Sequence, residues 1–441
     1  MSCCRKWYYS LLIVFAVCLP ARHARAELSA LNLQAIVDQA KPGETIVLEP
    51  GTYEGPITIT KSLTIRSTQA GTVELRNRSQ RPAVSIEADE TTLSGLRVID
   101  ETVKAAPTLL VTGDRVVLED LHIQTGSGGI AAKDADGGTL SRTTIEWTAE
   151  GVRMADKGNG MDLFNAHRWR ITGNTIRLVH DGIYMENSDD AIVSGNVIER
   201  SRYGVHCMYT RGTKIQNNEG KLNVTGAMVM TSRQVSVTGN TFTKQSENVN
   251  SQGILLYDAH ESWVADNMVV GNRVGLYVEQ STDNRLENNQ VTYNFVGIQL
   301  LESSGNTIEG NAFLGNVSDA QAKGSVRNTL VGNYWDSFQG IDVNGDGKSE
   351  LTYAINPFFQ GLTQRRPAFQ LFFQSPGMVF LEGLFQTERE RWATDLAPLM
   401  APPGSGPREE RSEDGLMTGL AGFTLLGSTG LLFYRMRRRS I

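Results

Sequence analysis

A short polar mark, Gly-Asn or a near variant, returns along this chain on a fixed count. It stands at Gly173-Asn174, Gly195-Asn196, Asn217-Asn218, Gly239-Asn240, Asp266-Asn267, Asn288-Asn289, Gly310-Asn311 and Gly332-Asn333. Its Asn recurs every 22 residues, with one step of 27 between Asn240 and Asn267. A second mark, a Gly opening an apolar strand, keeps the same beat and takes the same long step, at Gly160, Gly182, Gly204, Gly226, Gly253, Gly275 and Gly297. A period in the low twenties with short strands and no helical pattern predicts an all-β solenoid, a right-handed parallel β-helix. Asn tolerates tight left-handed turns and can hydrogen-bond to its copy in the next coil, while Gly supplies positive φ. A leucine-rich repeat would need Leu at fixed offsets and a helix per repeat, and has neither here.

Side chains alternate along a strand, so offsets from each marking Gly sort them into faces. Offset one holds Met161, Ile183, Val205, Ala227, Ile254, Leu276 and Ile298, and offset three holds Leu163, Met185, Cys207, Val229, Leu256, Val278 and Leu300. Both columns are apolar throughout and belong inside, which makes Cys207 a packing residue. Offsets two and four then face outward, and function is sought there.

On that face His206, Met208, Met228 and Met230 form a two-by-two block. Adjacent coils lie about 4.8 Å apart and alternate residues on one strand about 6.6 Å apart. Three thioethers and an imidazole are soft donors suited to Cu(I). The competing reading is an adaptable apolar patch covered by a partner or by the inserted loop near Thr241 to Asn250. Asp162, Tyr184, Glu186 and His206 offer a different chemistry, acid–base work on a polysaccharide as in β-helix lyases and epimerases. Later in the chain, Asp342, Asn344 and Asp346 fall at positions one, three and five of a calcium-type loop, with Gly347 at six and Glu350 at nine. Position twelve is Tyr353, so this is no EF-hand; a structural Ca²⁺ is expected, against a plain Asp/Asn/Gly turn.

Residues 1–26 read as a secretory signal peptide, with Arg5 and Lys6 before the apolar run Leu11 to Leu19 and Ala24-Arg25-Ala26 at the cut. Cleavage leaves Cys207 as the sole thiol and so no disulfide framework. The β-helix is expected over 27–356, opened by an amphipathic cap with Leu33, Ile36, Val37 and Ala40 on one face. An apolar, aromatic segment follows over 357–400, richer than a cap needs, with Phe369, Phe372, Phe373, Met378, Phe380, Leu384, Phe385, Trp392 and Met400 as docking candidates. Then come a linker, 401–415, an apolar segment, 416–434, long enough for a transmembrane helix, and a basic cytoplasmic tail, 435–441. A cleavable sorting tail is the alternative for the last two. The net charge of −6 falls to −14 once the eight basic residues of the two ends are set aside, which disfavours nucleic acid as a partner.

Gly160-Met-Asp-Leu-Phe-Asn165, Asp181-Gly-Ile-Tyr-Met-Glu186, Arg202-Tyr-Gly-Val-His-Cys-Met-Tyr209 and Val274-Gly-Leu-Tyr-Val-Glu279 stand in this order, followed by Arg365-Arg-Pro-Ala368, Ser375-Pro-Gly-Met378 and Asp395-Leu-Ala-Pro-Leu-Met400. Together they resemble the NosD-type periplasmic maturation family of nitrous oxide reductase. The resemblance implies a non-enzymatic β-helix protein in the periplasm; the membrane tether is expected from the apolar segment 416–434 itself. The resemblance further implies work with an ABC transporter (permease plus ATPase) and a copper chaperone to assemble the reductase's copper–sulfur centre, with the segment from Phe369 to Met400 docking on the transporter. A passive scaffold solenoid and a polysaccharide lyase or epimerase are the other readings.

Overall fold

The computed structural model describes residues 31–245, 251–372, 375–389 and 392–404. The expected signal peptide, residues 246–250 of the inserted loop, Phe373, most of the linker and the apolar segment 416–434 with its tail lie outside them. Each coil contributes three short strands, as in Thr175–Arg177, Asp181–Glu186 and Ile192–Ser194. Stacked coil on coil, these strands form, among the described residues, three parallel sheets of fourteen, twelve and fifteen strands around one apolar core, with an antiparallel pairing at the end of the third. The middle sheet carries the longest strands and is the one that begins at each marking Gly.

Register follows the count. Met161, Ile183, Val205, Ala227, Ile254, Leu276 and Ile298 lie directly over one another, and all are 0–1% exposed. The offset-three column is equally buried, Cys207 included. Each large side chain so buried stabilises the fold by about 1.5–3 kcal/mol. The marking glycines of this sheet are there for space, not for positive φ. A Cβ on Gly226 would sit 2.5 Å from the Gly253 carbonyl oxygen and from the Phe242 ring.

The Gly-Asn pair divides two tasks between its members. The first residue takes the left-handed turn, from Gly173 (φ +64°) and Asn217 (+55°) to Gly332 (+65°). The second is buried and builds a ladder: the Asn196 backbone N–H and side-chain N–H both donate to Asn218 Oδ1, at 3.0 and 2.9 Å. The same pattern runs from Asn174 to Asn333.

One departure from the sequence reading and one irregular coil mark the N-terminal half. The cap helix, α1 (Leu33–Gln39), buries Leu33 and Val37, but Ile36 is 38% exposed, because seven residues present too narrow a face. Its covering role falls to Gln34, whose side-chain amide pairs with both the N–H and the C=O of Thr58 on the sheet's first strand (2.7 and 3.1 Å). That occupies edge groups that would otherwise template association. Gly151 to Met154 is no coil strand; it is a turn leading into a 3₁₀ turn at Met154–Asp156. Ile130 therefore pairs with Met161, 31 residues on, and the chain between bulges outward.

The C-terminal boundary also differs. Beyond Pro357 come α2 (Phe358–Arg365), a 3₁₀ turn (Pro367–Phe372) and α3 (Pro376–Leu384), with α2 against the last strand of the middle sheet, Ser318–Lys323. Residues 394–395 then return to the solenoid as strands of the third sheet, pairing with Leu330 and Tyr353–Ala354. Asp395 is fully buried, and its Oδ2 accepts from the Asn333 backbone N–H, the Asn333 side chain and the Trp335 indole at 2.9–3.0 Å. The Asn ladder thus ends on a carboxylate supplied by the segment expected to lie outside the β-helix.

Candidate metal centre

The outward columns of the middle sheet are those expected. Asp162, Tyr184, His206 and Met228 pair in succession, as do Phe164, Glu186, Met208 and Met230. The four block residues are therefore together on one face. His206 nevertheless is only 6% exposed. The Tyr184 and Tyr203 rings flank it, each with its centroid 4.9 Å away. Arg202 lies over Tyr203 and closes that side.

Beneath this cover His206 Nδ1 is 3.0 Å from Asp181 Oδ2. Asp181 is 1% exposed and held from the other side by Arg202, Nε to Oδ1 at 2.7 Å and Nη2 to Oδ2 at 2.6 Å. Burial opposes charge on this carboxyl, but the hydrogen bonds from Arg202 and His206 outweigh it and keep Asp181 below its ordinary range. An ionised carboxylate only accepts, so Nδ1 carries the proton and Nε2 the lone pair. That Nε2 is buried and has no hydrogen-bond partner. A carboxylate on one imidazole nitrogen with the other free is the arrangement that orients a metal-binding histidine.

Met208, Met228 and Met230 are half-buried beside it. The Tyr184 hydroxyl donates to Glu186 at 2.7 Å and stands 3.4 Å from the Met208 sulfur. Cys207 points into the barrel, where burial pushes its thiol up to about 12, so it is a packing residue. Among the described residues no cluster of three or more His, Cys, Asp or Glu side chains is placed to share a metal, which leaves thioethers as the remaining donors around His206.

Asp181, Arg202 and Tyr203 were not among the sequence candidates. Asp181 was visible in principle: of the residues just before each marking Gly (Asn159, Asp181, Tyr203, Thr225, Gln252, Val274 and Val296) it alone is charged. Burial and its bond to Glu186 raise the Tyr184 hydroxyl above its ordinary value, and burial raises Asp162.

In the calcium-type loop the acceptors face the backbone. Asp342 takes the N–H groups of Gly345 (2.6 Å) and Gly347 (2.9 Å), Asn344 that of Asp346, Asp346 that of Lys348, and Glu350 that of Val343. The loop is exposed and clamped from behind by Pro398 and Met400 through Ser349 and Gly347. The docking candidates separate into two groups. Phe385 stacks on Trp392 and touches Phe358, and Met378 is buried, so these pack within the segment. Phe372, Phe380, Leu384 and Met400 are exposed, joined by Leu371, Val379, Leu381 and Leu396, which were not among the docking candidates. Among the described residues no helix is long and apolar enough to cross a membrane.

Comparison with known proteins agrees with this fold. The family described as periplasmic copper-binding protein (NosD) matches residues 148–345, and that described as right handed beta helix region matches 51–218. No curated protein matches. Similar solved structures include a PL6 alginate lyase in complex with a trisaccharide (12% identity, 71% of this chain and 86% of that one, TM-score 0.52). Others are the catalytic unit of a GH87 α-1,3-glucanase from Streptomyces thermodiastaticus (14%, 69% and 62%, TM-score 0.51) and a family 28 exopolygalacturonase from Yersinia enterocolitica (10%, 67% and 74%, TM-score 0.50). At such identities the likeness is one of fold.

Proposed function

The chain is a right-handed β-helix protein of the NosD type, and on that premise we propose that it is a periplasmic, non-catalytic accessory protein that holds Cu(I) in passage at His206, Met208, Met228 and Met230. The observation carrying this reading is the buried, unpartnered Nε2 of His206, its tautomer fixed by Asp181. A buried lone pair without a donor costs about 1–3 kcal/mol, which a metal ion would relieve. Thioethers favour Cu(I) over harder cations and, being neutral, release it without a proton change. The cargo's destination is the copper–sulfur centre of nitrous oxide reductase, with a copper chaperone upstream. An ABC transporter, permease and ATPase together, engages the exposed apolar face of α3, and the apolar segment 416–434 tethers the protein to the membrane.

Competition titration of Cu(I) should give an affinity at least about tenfold weaker after combined Met208→Leu, Met228→Leu and Met230→Leu substitution. A strain carrying only that variant should export reductase lacking its cluster. Equal affinity, or normal cluster content, sinks the proposal.

The Asp342–Glu350 loop is assigned a structural Ca²⁺ that steadies the end of the solenoid. Its carboxylates are turned to backbone N–H groups and would have to swing together around the cation on binding. Chelation should lower the melting temperature, and Asp342→Ala should abolish that response; a melting temperature indifferent to Ca²⁺ removes the site.

A further inference from the structure

Two to three coils before the metal block the outward face is hollow, and we propose that this hollow binds a small hydroxylated carboxylate. In the column Ala131, Asp162, Tyr184, His206 a bulky outward side chain is missing at Ala131, and the chain's outward bulge before Met161 supplies a wall. The result is a cavity of about 370 Å³ walled on its apolar side by Trp147 and Pro107.

Its charges are uneven. Lys104 is spent on Asp100 at 2.6 Å, both side chains buried, and Asp156 is paired with Arg153. Two ammonium groups remain, Lys133 and Lys157. Lys157 gives one hydrogen bond to the Leu178 carbonyl and lies over the Trp147 ring, leaving two N–H donors. Against them stands one carboxylate, Asp162, bonded to Asn159 at 3.2 Å. An anion is therefore favoured. A bare oxyanion, however, has nothing to donate to Asp162 and would be repelled by it.

His180 adds the other half of the recognition. Its ring lines the cavity with no hydrogen-bond partner among the described residues, and burial holds it toward the neutral form, one donor and one acceptor. Asp162 and His180 together read hydroxyl groups, and the lysines read a carboxylate. Open-chain hydroxy acids and sugar acids share that chemistry. The inference stands whether or not copper binds at His206.

Calorimetric titration of the full-length protein in detergent, with citrate, D-glucuronate and sulfate as probes, tests it. Saturable binding of citrate or glucuronate, at least about tenfold tighter than sulfate and weakened at least about tenfold in Lys157→Met and in Lys133→Met, is expected. Which of the two carboxylates binds tells an open-chain acid from a sugar acid. Lys133 is exposed, so that variant remains informative if Lys157→Met fails to fold. Sulfate binding as tight as either carboxylate, no saturable binding, or lysine variants that bind unchanged would each overturn the proposal.

Discussion

At His206 the strand turns the imidazole out of the barrel while Cys207 turns inward, yet both are buried. The difference lies in what covers them. Cys207 meets aliphatic rows, whereas His206 meets two aromatic edges and a carboxylate that dictates its tautomer. Asp181→Asn keeps the shape but frees Nδ1 from that constraint, so Cu(I) affinity should drop about 10- to 100-fold, read by chelator competition. The variant has a pH signature too. Because Asp181 in the fold lies below its ordinary 3.8, its pairing stabilises fully above that value and fades as pH falls through the lowered folded value. The gap in melting temperature between wild type and Asp181→Asn should be level from neutral pH down to about pH 5 and close in stronger acid. A gap that instead widens on acidification contradicts the assignment.

At the scale of elements, α3 is the part whose exposure is hardest to reconcile with an isolated protein. Val379, Phe380, Leu381 and Leu384 are each about half exposed or more, while Met378 alone anchors the helix inward. Phe380→Asp with Leu384→Asp should leave the melting temperature within about 1 °C, since surface changes alter stability by at most about 0.5 kcal/mol. The same pair should abolish co-purification with the membrane partner; retained co-purification removes α3 from the interface. How much of this the sequence disclosed depends on periodicity. On the middle sheet from Gly160 to Leu301 the four counted offsets sorted inward from outward residues, because alternation and a constant step leave one register that hides the aliphatics. The four block residues were found that way. Asp181 and Arg202 escaped because they precede the glycine from which offsets were counted. The coil from Ile130 to Met161 escaped because its 31-residue step breaks the beat, and the interior packing of Met378 and Phe385 because no repeat constrains it.

Over the whole molecule, the two ends of the solenoid are closed by side chains taken from outside the repeat. Gln34 imitates a strand at one end; at the other, Asp395 receives the Asn ladder across 62 residues of sequence. No periodic argument reaches Asp395, since it belongs to no coil. Asp395→Ala leaves three buried N–H donors unmatched, at about 1–3 kcal/mol each. It should therefore lower the melting temperature by several degrees and expose the chain near residue 357 to limited proteolysis, whereas Asp395→Asn keeps an acceptor oxygen and should lose less. Equal behaviour of the two variants would mean that the ladder does not depend on its terminator.

Because the last acceptor is encoded so far beyond the asparagine it serves, a ribosome delivering this chain releases every coil before the stack can be sealed. Fragments ending short of Asp395 finish in a raw row of hydrogen-bond donors, and only a complete translation product withdraws that row from passing proteases and from neighbouring copies of itself.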